Sequence, residues 1–198
     1  MSVAQQKAAT RKRMLALRDA ANAELGTRAE AAAALAAHLA DLRGKVVAGY
    51  LPIRSEADPV PAMRALRRHN RVCVPVIAGS GLPLAFREWH PGCALVAGAF
   101  GVMVPEDGAE LRPEVLIVPM VAFDDTLGRL GYGGGFYDRT LERLRAAGPV
   151  RAVGFAYAAQ RAGELPREPT DQPLDEIVTE RGPLRPARCG LAERTRGD

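Results

Sequence analysis

Compact apolar runs alternate along this chain with stretches of helical periodicity. Residues 3–20 can form a helix, and Lys7, Arg11 and Arg18 fall near one face of it, because positions four and seven apart lie close together. Thr27 and Glu30 stand at capping-box spacing and predict the start of an Ala-rich helix. Its apolar stripe continues through Leu35, Leu39 and Leu42 toward a stop at Gly44. The run Val46–Leu51 predicts a buried strand. Asp58 and Pro59 suit a helix start, with Asp as cap and Pro at the first helical position, running to about His69. Arg71–Ile77 predicts a second strand, in which Pro75 suits the end better than the middle. Residues 78–114 are rich in Gly and Pro, with a short hairpin expected around Leu84–Glu88. Val115–Val118 predicts a third buried strand, and a helix follows from near Phe136 through Leu141 and Leu144 to the stop Gly148-Pro149. Val150–Tyr157 and Glu176–Glu180 predict the last two strands.

This alternation implies an α/β fold: a single three-layer domain over residues 1–180, with an open, mostly parallel sheet flanked by helices. Residues 181–198 have little apolar content and are expected to form a disordered basic tail. In open sheets of this kind ligands bind beyond the carboxyl ends of the strands, and the loop after Val115–Val118 stands at such a place.

Composition adds mainly exclusions. Hydrophobic residues at 47% and charged residues at 25% suit one globular core. No apolar run reaches the ~18 residues of a membrane span, and no apolar stretch follows the basic N-terminus, so a signal peptide is not expected. Cys73, Cys93 and Cys189 lack paired spacing and suit reduced thiols in a cytoplasmic protein. The net charge of +4 comes from the two ends, since the segment between residues 18 and 181 is net acidic. No aromatic-studded basic strand of RNA-binding type accompanies those ends, so no nucleic-acid partner is expected. Trp89 could stack on an aromatic ligand, although a single Trp is more often core. His38 and His69 near helix ends suit surface positions, and the three His suggest no metal site.

The chemistry concentrates in Phe123–Arg139, FDDTLGRLGYGGGFYDR. Glycines let main-chain N–H groups face a ligand closely, and a helix N-terminus behind them favours an anion. Arg129 adds a planar donor fork suited to phosphate, and Asp138 in the first helical turn is a natural magnesium ligand. A Gly-rich loop alone serves more often as a turn. This one has neither the P-loop Lys-Ser/Thr pair nor the Rossmann spacing. The combination of strand, Arg, glycines, aromatic pair, Asp and helix favours a nucleotide site.

Gly128-Arg129-Leu130-Gly131-Tyr132-Gly133-Gly134-Gly135-Phe136-Tyr137-Asp138 resembles the signature of the 5-formyltetrahydrofolate cyclo-ligase family. The likeness extends to Lys7 and Arg11, to Tyr50–Glu56, and to Asp171-Gln172-Pro173-Leu174-Asp175, in the family's order. It implies ATP and Mg²⁺ as cofactors and 5-formyltetrahydrofolate, with or without a polyglutamate tail, as the partner. The enzyme so implied would be a monomer in the cytoplasm. In the family, ATP phosphorylates the formyl oxygen, N10 attacks, and 5,10-methenyltetrahydrofolate, ADP and phosphate result. The resemblance implies that Lys7, Arg11 and Arg129 through Tyr137 hold ATP. It gives Asp138 and Asp171 the magnesium, and it places Leu51, Glu56 and Tyr132 through Phe136 against the folate. Arg129, Tyr137 and Asp138 would be catalytic. Read without the resemblance, Lys7 and Arg11 are a solvated basic face, Glu56 a helix-entry carboxylate and Asp171 a loop carboxylate. Two alternatives stand beside the ligase: a non-catalytic folate- or nucleotide-binding relative, and ATP-phosphoryl chemistry on another amide.

Overall fold

The structure, a computed structural model, describes residues 1–185. Helix α1 (Val3–Ala23) opens with a capping box, in which Ser2 Oγ accepts from Gln5 N and Gln5 Oε1 accepts from Ser2 N. The helix α2 (Leu25–His38) starts two residues before the expected Thr27. Thr27 spends its hydroxyl on Glu24 and caps nothing, and the helix ends before Gly44. Strand β1 (Val46–Ala48) leads to α3 (Val60–Leu66), whose N-cap is Pro59 and not the expected Asp58; Asp58 Oδ1 instead closes the entry turn by accepting from Val60 N at 2.9 Å. Then come β2 (Arg71–Val76), β3 (Ala85–Glu88), the small hairpin β4 (Leu95–Ala97) and β5 (Met103–Pro105), and β6 (Val115–Pro119). The short pair β7 (Ala122–Phe123) and β8 (Arg129–Leu130) precedes α4 (Phe136–Ala146). The last strands are β9 (Arg151–Phe155), β10 (Glu176–Thr179) and β11 (Gly182–Leu184).

The main sheet has seven strands in the order β11-β10-β9-β6-β1-β2-β3. The five central strands are parallel, and β3 and β11 are antiparallel edges. The three-layer α/β expectation therefore holds. Two details differ from it. β11 falls in the segment expected to be a disordered tail, because Gly182–Leu184 continues the ladder beside β10; residues 186–198 lie outside the described residues. Pro75 sits inside β2, but its pairing with β1 ends at Cys73, so the missing N–H faces no neighbouring strand there.

Alternation along the strands builds two cores. Val47, Ile117, Val153 and Val178 face α2 and α3. Ala48, Leu116, Val118, Ala152 and Ile177 face α4. Trp89 belongs to the first core, not to a ligand site. His38 is not on the surface: its Nε2 lies 2.9 Å from the buried Glu176, which also takes Arg151 at 2.6 Å. Among the described residues no helix is long and apolar enough to cross a membrane.

The parallel order doubles back between β1 and β6, and crevices form at such reversals. One buried carboxylate shapes the chain beyond β6. Asp124 accepts from Thr126 N, Thr126 Oγ1, Gly128 N, Leu165 N and Arg167 Nη2. These donors close the turn between β7 and β8 and tie it to the segment after β9. Burial alone would raise the Asp124 pKa, but the donors outweigh it and hold the carboxyl below its usual range. Replacing Asp124 by Asn is expected to cost roughly 1.5–3 kcal/mol of stability in urea unfolding, the range for hydrogen bonds to charged groups. A depressed folded-state pKa stabilises above the ordinary value of 3.8. The advantage over D124N should therefore be full at neutral pH and fade as the pH falls below that value.

Candidate active site

Residues 131–135 connect β8 to α4 without regular structure. Gly133 (φ +104°) and Gly135 (φ +63°) take left-handed backbone that a side chain would strain. A Cβ at Gly135 would also lie 2.6 Å from Arg139 Nη1. Gly135 is the α4 N-cap and no side chain caps the helix, which leaves first-turn N–H groups for an anion.

Cations converge on this loop. Arg11 Nε donates to Gly131 O at 2.8 Å. Arg129 is nearly buried, pairs with Asp138 at 2.6 Å, and packs its guanidinium 5.5 Å from the Tyr137 ring centre. Its Nε is buried without a partner, a donor aimed at nothing the chain itself provides. Lys7 Nζ lies 2.7 Å from Asp171 and 2.8 Å from Glu168. Burial works to lower the Lys7 pKa, but the hydrogen bonds and charges of the two carboxylates outweigh it and leave it raised. Gln172 N donates to Asp138 Oδ1 at 3.1 Å, so the segment carrying Asp171 reaches Asp138.

The opposite wall follows β1. Tyr50 and Leu51 extend from the strand end, and the next turn carries Glu56, whose Oε2 accepts from Ile53 N at 3.0 Å. Burial raises the Glu56 pKa, opposed by that N–H, by the charges of Arg18 and Arg54, and by the Tyr132 hydroxyl. Burial also raises the phenol pKa of Tyr137, which stays neutral and can donate but not act as a base at neutral pH. The two walls enclose a cavity of about 450 Å³ that runs from Lys7 and the glycine loop to Glu56 and Leu84.

The residues to which the family resemblance gives a role all line this cavity: Lys7, Arg11, Leu51, Glu56, the loop from Arg129 to Asp138, and Asp171. The basic helix face is thus turned inward. Sequence reasoning passed over Glu168, for which no spacing signal exists, and Arg139, which closes the loop by donating to Gly134 O. It also passed over Phe100 on the β4–β5 hairpin, whose ring stands 6.3 Å from Phe136. Phe100 is exposed and has φ +57°, uncommon for a bulky residue and a sign of a position set by more than local preference.

The fold is an open α/β sheet, and its cavity lies at the reversal point beside a glycine-rich loop that leads into a helix N-terminus. The sequence matches the profile of the 5-formyltetrahydrofolate cyclo-ligase family over residues 3–180. It is 38% identical over 143 residues to the 5-formyltetrahydrofolate cyclo-ligase of Escherichia coli, spanning 67% of this chain and 76% of that enzyme. It is 35% identical over 148 residues to the cyclo-ligase of Mycolicibacterium smegmatis, spanning 70% and 75% of the two chains. The structure superposes on the 5,10-methenyltetrahydrofolate synthetase of Aquifex aeolicus with a TM-score of 0.74 at 30% identity, covering 96% of this chain and 99% of the other. The synthetase of Mycoplasma pneumoniae gives 0.67 at 25% identity, over 88% and 98%. The chain belongs to the 5-formyltetrahydrofolate cyclo-ligase family, ATP-binding ligases of one-carbon folate metabolism.

Lys7 provides a test of the site's electrostatics without ligand. Its carboxylate partners are reached by water, so Lys7→Met should cost about 1 kcal/mol or less in urea unfolding at neutral pH. A raised folded-state pKa stabilises below the ordinary value of 10.5 and is lost as the pH rises through the folded value. The K7M variant should accordingly lack that part of the alkaline loss of stability.

Proposed function

We propose that this chain converts 5-formyltetrahydrofolate to 5,10-methenyltetrahydrofolate in an ATP- and Mg²⁺-dependent reaction that releases ADP and phosphate. The observation that carries the reading is the single cavity joining the glycine loop, with its converging cations, to the Glu56 wall. When bound, ATP would supply the phosphoryl group that turns the formyl oxygen into a leaving group as N10 closes the ring.

The chain's own task is then to neutralise charge and align groups, which supplies most of the catalysis in phosphoryl transfer. Main-chain N–H groups from Gly133 to Tyr137, with Lys7, Arg11 and Arg129, would hold the phosphates. The unpartnered Arg129 Nε fits such a ligand. Asp138 and Asp171 would hold Mg²⁺. Among the described residues no three His, Cys, Asp or Glu gather into a metal cage. That suits Mg²⁺, which commonly binds one or two carboxylates together with substrate phosphates. Glu56, buried and able to accept, would take N–H donors of the pterin, with Leu51 and Phe136 packing beside it. Tyr137 would orient the reacting groups as a neutral donor. The reading has the enzyme acting as a cytoplasmic monomer, without nucleic acid.

The test is an absorbance assay for the methenyl product in the near ultraviolet. Product should form only with 5-formyltetrahydrofolate, ATP and Mg²⁺ all present. Binding of folate and nucleotide by calorimetry without product would instead identify a binding relative or another substrate. Asp138→Asn and Arg129→Ala should each lower kcat/KM by the equivalent of a few kcal/mol, about the cost of losing one transition-state donor. Loss of folding in proportion to activity, with normal turnover of the folded fraction, would refute these roles.

A further inference from the structure

Behind the cavity wall lies a charge that the reaction does not directly use. Arg18 on α1 is 1% exposed and touches no part of the cavity surface. Among the described residues it makes no ion pair with a carboxylate. Its Nε donates to Ser55 Oγ at 3.1 Å, its Nη2 to the Tyr132 hydroxyl at 2.7 Å, and its Nη1 lies 3.5 Å from Met120 O. Ser55 Oγ in turn donates a hydrogen bond to the Asp19 carboxylate. A buried guanidinium with neutral partners is costly, and single-residue violations of this kind cluster at functional sites.

The partners show what it does. Tyr132 accepts from Arg18, so its own phenolic proton is left for another acceptor, and the Glu56 carboxyl stands beside it. Ser55 and Glu56 are neighbours on one turn, so Arg18 grips the Glu56 turn and the glycine loop at once. We propose that Arg18 is a positioning residue that holds Tyr132 and Glu56 as one fixed, charge-balanced wall for a bicyclic ring presenting N–H donors along one edge. The proposal rests on the folate reading of that wall and assigns specificity to a residue that never meets the substrate. The groups facing Glu56 are Arg18 from α1, Arg54 and the Ile53 N–H from its own turn, Tyr132 from the loop, and Tyr50 and Tyr137 from the cavity floor. Removing Arg18 takes away the larger of the two charges that oppose the effect of burial on Glu56.

Arg18→Met should raise the KM for 5-formyltetrahydrofolate by about tenfold or more, with the KM for ATP and kcat changed by no more than about threefold. The acidic limb of kcat/KM for the folate should move to higher pH, and Arg18→Lys should restore that limb while leaving the KM raised. Adding Tyr132→Phe to R18M should cost less than Y132F costs alone. A mere clamp on α1 would behave differently. That helix also carries Lys7 and Arg11, so both KM values would rise together, the unfolding midpoint would fall, and the limb would stay in place; this result overturns the proposal. A ¹³C NMR titration of the Glu56 carboxyl in wild type and R18M separates the two readings. An unmoved titration refutes the role of Arg18. A moved titration in a wild type that neither binds nor converts the folate supports the coupling and defeats the folate reading alone.

Discussion

Asp124 gathers donors from its own turn and from the segment after β9, and the site's geometry rests on that convergence. The turn sets where β8 begins and therefore where Arg129 stands. The tie to Leu165 and Arg167 sets the path of the chain toward Glu168 and Asp171. Two parts of the sequence some forty residues apart thus meet at one cavity because a carboxylate that does not line it has more acceptor capacity than a single turn can use. In a buried position such a group leaves little freedom, since each lost donor exposes an unsatisfied charge.

The cavity built on this frame is paired internally. Asp138 holds Arg129, and Asp171 holds Lys7. Each acid so placed has a base of the same cavity as its partner. The arrangement keeps like charges apart and fixes long side chains before any ligand arrives, which is preorganisation in its electrostatic form.

Much of this was legible in the sequence. The alternation of strands and helices foretold the sheet, and the loop from Gly128 to Asp138 foretold the centre of the cavity, because both depend on local spacing. The features that stayed hidden depend on contacts distant in sequence. Thr27 looked like a cap but bonds to Glu24 instead. His38 looked like a surface residue but meets Glu176 across 138 positions. Residues 182–184 looked like tail because their apolar content is low, but an edge strand needs only a neighbour's backbone. Glu168 and Phe100 have no signal at all, since a lone acid and a lone aromatic in irregular segments carry no period. The inward face of α1 was visible as a pattern of Lys7, Arg11 and Arg18, but a basic stripe alone does not tell solvent from site.

Helix α1 has a consequence for how the molecule loses function. It docks mainly through a small cluster (Met14 with Val121, Ala122, Leu130 and Leu165), and only Ala21 near its end joins one of the two large cores. Opening free energies differ between regions of one protein, and units with few apolar contacts open first. A helix held this way is expected to open more readily than the central strands, whose apolar packing on both faces would stay intact. Amide exchange in α1 would then report the competent fraction of molecules, and exchange in β6 and β9 the folded fraction. Competence and foldedness become two separate equilibria in one chain.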